Sequence, residues 1–338
     1  MSIRSKPKRS LSWLLATAIA GALVLFAGPA SAKPTSPTAL PLSQFKVALV
    51  APSATNDLAF TQSMYSSLKT LQAKYGFKLS VSENQFVVAN AADIIRQYAS
   101  EGYNLIIAHG SQYGGTIEQL APKFPNVSFA WGTASSTYGL KNVYAYQAAS
   151  NQGGYVQGYL AALLSKTKVI GEIGPIATGD AKLYVDGFKA GALAADPEAT
   201  VHVSYTGSFS DPSLMSKQAT EYLAEKADVL TGSSQSVVGA ITVAKANNVA
   251  WFGTQWTQAS LAPKQVVSSQ VYNWTPTVYA MLAGIQAGQL GGTYYTISLK
   301  NGGEKIQFNP AYKLSASLQA KAEKVIKGIE NGTIKVPQ

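Results

Sequence analysis

An alternation runs along this chain and leaves few folds open. Short apolar runs take turns with longer stretches whose apolar residues recur at helical spacing. "FKVALVAP" (45–52) reads as a strand. "FTQSMYSSLKTLQAKYG" (60–76) reads as the helix after it, stopped by Gly76. "KLSVSEN", "NAADIIRQYASEG", "NLIIAHG", "GTIEQLAPKFP" and "VSFAWG" continue the rhythm. After "VYAYQAASNQ" it starts again, from "GGYVQGYLAALLSKT" through "VIGEIGP", "DAKLYVDGFKAGALAA", "VHVSYTG", "PSLMSKQATEYLAEK", "DVLTGS" and "SVVGAITVAKANN" to "VAWFGT". Apolar strands alternating with amphipathic helices predict βαβ units and parallel sheets covered on both faces. Two runs of similar length predict an α/β protein of two doubly wound, Rossmann-like lobes.

The tail adds a strand, "QVVSSQVY", a helix, "TPTVYAMLAGIQAGQL", and a hairpin expected around Asn301-Gly302-Gly303. "SASLQAKAEKVIKGIENG" reads as a terminal helix. A chain that returns to its first lobe makes several crossings, which is a hinge. The expected division is 45–148 plus 254–291 for the N-terminal lobe and 149–253 plus 292–338 for the C-terminal lobe.

Ahead of this lies a different kind of sequence. Residues 1–32 carry Arg4, Lys6, Lys8 and Arg9, then "LSWLLATAIAGALVLFAG", then Ala30-Ser31-Ala32. That order reads as a cleaved secretory signal peptide, with an uncleaved anchor as the alternative. Residues 33–44, "KPTSPTALPLSQ", read as a flexible tether. No later segment approaches the about 20 apolar residues of a spanning helix. The chain has no cysteine, so it has no disulfide and no cysteine for a lipid anchor. The expected location is the periplasm.

The net charge is +10, and leaving out the four basic residues of the leader reduces it to +6. The lysines are scattered, with no basic cluster interleaved with aromatics, so a nucleic-acid surface is not expected. A monomer is expected, with no cofactor and no metal.

In open α/β sheets ligands bind beyond the carboxyl ends of the strands. The positions to inspect in the first lobe are Asp57 and Phe60, 84–86, 109–113 and 131–133. In the second they are 175–180, 207–211, 233–235 and 255–256, with 272–274 on the recrossing strand. These stretches are rich in aromatics and neutral amides. Rings clamp flat ligands, and amides read a heterocycle edge as donors and acceptors. A phosphate site would show a glycine-rich turn with Lys or Arg, and a carboxylate site an Arg; neither is present. Asp57 and Phe60 also suit plain helix-start roles, as N-cap and staple. His109 has no partner spaced for metal binding or acid–base work.

"DLAFTQSMY", with Asp57, Phe60 and Tyr65, resembles the opening motif of the basic membrane protein family of ABC-transporter substrate-binding proteins. That family includes bacterial purine-nucleoside receptors. "APKFPNVSF", "GGYVQGYLAALLSKTKVIGEIG", "DGFKAGALAADP", "YTGSFSDPSLMSKQA" and "KADVLTG" follow in the family's order, over roughly residues 45–310. The resemblance implies a type I periplasmic-binding-protein fold with a ligand closed between the lobes. It also implies delivery to an ABC permease, without catalysis. Phe60 and Phe209 stand where the family's rings sandwich a purine. Gln255 and Thr257 replace acids that grip ribose, Tyr272 replaces a lysine and Thr61 an asparagine. Trp131, Trp256 and Trp274 are expected to narrow the pocket. The resemblance with these departures implies a free nucleobase, with a nucleoside as the alternative; a nucleoside hydrolase and a sensory module are the rivals of another class. The expected ligand contacts are Asp57, Phe60, Thr61, His109, Gly110, Trp131, Phe209, Ser233, Gln255, Trp256 and Tyr272.

Overall fold

Residues 40–337 are described by the computed structural model of this chain. The leader, and the tether up to residue 39, lie outside the described residues. The rest of the expected tether is anchored. Leu42–Gln44 form a 3-10 turn, Leu42 enters the core, and Gln286 Nε2 donates to the Leu40 carbonyl at 3.1 Å.

The first lobe begins β1 (Lys46–Val50), α1 (Phe60–Tyr75), β2 (Lys78–Ser82), α2 (Val88–Ser100), β3 (Leu105–His109), α3 (Gly114–Leu120), β4 (Ser128–Gly132), β5 (Val143–Ala148). The second begins α4 (Ser150–Leu164), β6 (Val169–Gly174), α5 (Gly179–Ala195), β7 (Thr200–Tyr205), α6 (Pro212–Ala224), β8 (Val229–Gly232), α7 (Val238–Ala246), β9 (Ala250–Gly253). The tail supplies β10 (Val266–Tyr272), α8 (Thr275–Gln286), β11 (Tyr294–Ile297), β12 (Glu304–Phe308) and α9 (Ala316–Glu330).

Two six-stranded sheets result, ordered β2-β1-β3-β4-β5-β11 and β7-β6-β8-β9-β10-β12. All neighbours are parallel except β10 and β12. The strand period explains the near-continuous apolar runs. Val47 and Leu49 of β1 join Leu105 and Ile107 of β3 on one face, under α1 and α8. Ala48 and Val50 join Ile106 and Ala108 on the other, under α2 and α3. A strand buried on both faces has no polar position to spare.

The tail departs from expectation. No hairpin forms at 301–303: β11 pairs with β5 in the first sheet, and β12 pairs with β10 in the second. The strand of 254–291, expected in the first lobe, is β10, and it extends the second sheet beside β9. Only its helix α8 returns, packing Val278, Met281 and Leu282 into the first lobe's core. Asn301-Gly302-Gly303 turns the chain between lobes, a use of turn residues that local sequence does not separate from a hairpin. The lobes are thus joined at three places, 148–150, 272–275 and 297–304.

Two contacts fix these crossings. α4 and α5 pack backbone against backbone through Gly154 and Gly158 on one helix and Gly187 and Gly191 on the other. A Cβ on Gly158 would overlap the Phe188 carbonyl, and one on Gly191 the Tyr155 carbonyl. Beside them, Glu304 of β12 accepts from the Gly153 N–H at 2.9 Å and from Gln270 Nε2 of β10. Burial pushes the Glu304 carboxyl up to about 8, against the pull of the Gln270 and Gly153 hydrogen bonds.

Gly158→Ala is therefore expected to lower stability by roughly 1–3 kcal/mol through overpacking. Gly115→Ala, in α3 with nothing within 4 Å of the added methyl, should be neutral or stabilising, because alanine favours helix by about 1 kcal/mol. Thermal denaturation of both variants checks the pair. A carboxyl whose acid form is preferred in the fold stabilises fully below its unfolded pKa and loses that contribution as pH rises through the folded value. Between the ordinary glutamate value of 4.5 and about 8, Tm should fall with rising pH. The fall should be smaller in Glu304→Gln, whose amide oxygen keeps both hydrogen bonds.

Candidate functional site

In each sheet the strand order reverses direction between the first strand and the third, at β1/β3 and at β6/β8. Loops leaving those strands run to opposite sides and open a crevice at the carboxyl ends. One cavity, partly open to solvent, lies between these two crevices. The first lobe lines it with Pro52 after β1, Phe60 at the start of α1, Phe86 after β2, residues 110–112 after β3 and Thr133 after β4. The second lobe adds Thr178, Asp180 and Ala181 after β6, Phe209 after β7, Gln235 after β8 and Gln255 after β9.

Phe60 is held by a stack of rings. Its ring stacks on that of His109, centroids 3.7 Å apart and planes nearly parallel at 7°, and His109 is followed by Tyr146 at 5.9 Å and 13°. His109 is fully buried, and burial lowers it to about 3, so the ring is neutral. The Phe60 carbonyl accepts only, so Nε2 of His109 donates to it at 3.1 Å; Nδ1 then accepts from the Tyr146 hydroxyl at 2.8 Å. With one face covered by His109, Phe60 has its other face and rim to turn to the cavity. Phe209 stands opposite, half-buried on a loop of the second lobe.

The polar lining consists of hydroxyls, amides and one acid. Asp180 Oδ2, Gln235 Oε1 and Gln255 Oε1 are buried and have no hydrogen-bond partner. Burial pushes the Asp180 carboxyl up to about 8, opposed by a hydrogen bond from the Ala148 N–H. Gln255 is held at φ +67°, a left-handed backbone that costs a side-chain-bearing residue roughly 1–2 kcal/mol. Its carbonyl accepts from the Tyr272 N–H at 3.2 Å. Across the cleft Leu58 is also left-handed, at φ +54°, and its carbonyl accepts from Gln258 Nε2 at 3.5 Å.

Of the residues singled out from the sequence, Phe60, Gly110, Phe209 and Gln255 line this cavity. The others have different positions. Asp57 caps α1: its carboxylate accepts from the backbone N–H groups of Ala59, Thr61 and Gln62 at 2.8–3.1 Å and from Ser53 Oγ at 2.6 Å. Thr61 is buried behind it, bonded to Ser53 Oγ at 2.7 Å. His109 backs Phe60. Trp131 stacks on Tyr138 at 4.9 Å and donates from Nε1 to the Ser111 carbonyl at 3.3 Å, bracing the 110–112 loop from outside the cavity. Ser233 is buried, its N–H tied to the Ile173 carbonyl at 3.2 Å. Trp256 and Tyr272 line a separate groove beside Ser66 and Thr70. Trp274 is fully buried and donates to Ser63 Oγ at 3.0 Å. The tryptophans therefore do not narrow the cavity.

Phe86, Gln112, Thr133, Thr178, Asp180 and Gln235 line it and were not singled out. All lie within the strand-end stretches. For Asp180 the available signal was an acid that opens a helix with no basic residue nearby except Lys182. Among the described residues no group of three or more His, Cys, Asp or Glu is placed to hold a metal. No described helix is long and apolar enough to cross a membrane.

Comparison with known proteins agrees with this geometry. A family model, Bmp, described as ABC transporter substrate-binding protein PnrA-like, matches residues 44–338. A purine-binding protein of Brucella abortus is 28% identical over 235 residues, 69% of this chain and 66% of that protein. The ABC transporter nucleoside-binding protein BmpA of Lactococcus lactis is 27% identical over 304 residues, 83% of this chain and 86% of that protein. Among solved structures, an ABC transporter solute-binding protein from Conexibacter woesei superposes with a TM-score of 0.71 at 25% identity, over 87% of this chain and 98% of that one. With two six-stranded, mainly parallel lobes facing one cleft and the family model covering nearly the whole described chain, this protein belongs to the Bmp family of PnrA-like ABC-transporter substrate-binding proteins.

Proposed function

We propose that the protein captures a small, flat, nitrogen-bearing heterocycle of the nucleobase type and passes it to an ABC permease. The periplasm is the compartment this reading assigns, and a monomer the working form. One observation carries the reading: rings from opposite lobes, Phe60 and Phe86 on one side and Phe209 on the other, line a cavity whose polar side chains are hydroxyls, amides and a single acid. None of the lining residues is Lys, Arg or His, which argues against phosphate and carboxylate ligands. Gln255 stands where the ribose-gripping acid is expected, and an amide offers one acceptor group where a carboxylate offers two. That favours the base over the nucleoside. The name of the Brucella relative supports a purine-type ligand, and that of the Lactococcus relative the nucleoside alternative.

The mechanism is hinge closure. A ligand touching both lobes stabilises the closed form by its differential contact energy, and three crossings keep the motion to a hinge. An enzymatic reading needs an acid and a base together, and Asp180 is alone among the lining residues. Incubation with nucleosides should release no sugar.

Mass spectrometry of ligand released from the purified, denatured protein should find a nucleobase-type heterocycle; a sugar, amino acid or metal would defeat the reading. Phe209→Ala should weaken binding ten-fold or more, about 1.4 kcal/mol, by calorimetric titration. Its stability should change little, because Phe209 is half-buried on a loop. Phe60→Ala should lose both affinity and stability, since Phe60 is 4% exposed and stacked on His109.

A further inference from the structure

Asp180 is the only lining residue that can carry a charge, and the function proposed above gives it no particular task. It is 3% exposed and sits in the first turn of α5. Its position is fixed from two sides. Oδ1 accepts from the Ala148 N–H at 3.3 Å, and its backbone carbonyl accepts from Ser150 Oγ at 2.5 Å. Oδ2 is buried without a partner. A buried acceptor without a partner is costly, and a ligand N–H placed against it removes that cost. A ligand carbonyl placed there adds repulsion.

The lining amides are less selective. Gln235 and Gln255 can each turn either oxygen or nitrogen toward a ligand by rotating the amide. A carboxylate offers acceptors only, unless it takes up a proton. Discrimination between donor and acceptor edges therefore falls to Asp180.

Resting on the nucleobase reading, we infer that Asp180 is the specificity-determining residue of the cleft: its free oxygen selects heterocycles that present an exocyclic amino group over those that present a carbonyl at the same place. The bound state holds the ionised carboxylate. Since burial raises Asp180 to about 8, an N–H ligand displaces a proton near neutral pH. Affinity then increases as pH rises toward that value. The titratable groups that feel the Asp180 charge are Tyr146 of β5, Tyr272 of β10 and Glu304 of β12. Burial holds both tyrosines well above their ordinary range and Glu304 near 8, so Glu304 is the one neighbour that titrates in the same window.

The test is calorimetric titration of wild type, Asp180→Asn and Glu304→Gln with adenine, hypoxanthine, guanine and xanthine between pH 6 and 9. Wild type should prefer the amino-bearing member of at least one amino/oxo pair by ten-fold or more. Asp180→Asn keeps an oxygen for Ala148 and puts an NH₂ in place of Oδ2, so it should erase or reverse that preference. Wild-type affinity for the preferred base should rise with pH with proton release. That slope should persist in Glu304→Gln and vanish in Asp180→Asn. A preference that survives Asp180→Asn overturns this inference and leaves the nucleobase reading standing. Affinity that falls with rising pH also overturns it, because the acid form would then be donating to the ligand. A wild type that binds none of the four bases overturns both.

Discussion

The backbone contact between α4 and α5 sets the geometry on which the cleft depends. α4 begins two residues after β5 ends, so it carries the first crossing between lobes. α5 begins with the residues that line the second lobe's crevice, Thr178 to Ala181. Glycines at 154, 158, 187 and 191 let the helices approach until carbonyls of one meet the bare Cα atoms of the other. Close approach removes the play that side chains would allow between the helices. The start of α5 is thereby held against the crossing, and Asp180 takes the Ala148 N–H while Ser150 takes the Asp180 carbonyl. The second lobe's wall is tied to the hinge by short-range packing and two hydrogen bonds.

The first lobe's wall is built differently. Its rigidity comes from a buried neutral histidine between two rings, with both ring nitrogens satisfied. A charged imidazole could not stay there, because nothing near it compensates the loss of hydration. The ring presented to the cavity thus has a firm backing, while its counterpart Phe209 rides on a half-buried loop. One firm wall and one adaptable wall suit a cleft that must open and close around a flat ligand.

Much of the architecture was legible in the residues. The alternation and the two lobes follow from apolar period and spacing, since a parallel strand buried on both faces must be apolar throughout. The strand-end stretches contained nearly all of the cavity lining. The selection within them went astray for a definable reason. Trp131, Trp256 and Tyr272 occupy strand ends and are large enough to clamp a ligand, but the face a strand residue takes and the direction of the loop after it decide which way a side chain points. Trp131 turned outward onto Tyr138. Trp256 and Tyr272 line a separate groove beside α1. The tail was misread because Asn301-Gly302-Gly303 marks a turn equally well within one sheet or between two.

The two acids at helix starts show where sequence ends and tertiary structure begins. Asp57 and Asp180 each follow a strand and each open a helix, so the sequence determines that both stand at the crevice. It does not determine what either does. Asp57 is satisfied locally: the first turn of its own helix and Ser53 occupy both carboxylate oxygens. Asp180 is held by an N–H 32 residues away, across the crossing between lobes, and one oxygen is left facing no partner. Local hydrogen bonds are written in neighbouring residues; the position of Asp180 exists only once α4 and α5 have packed.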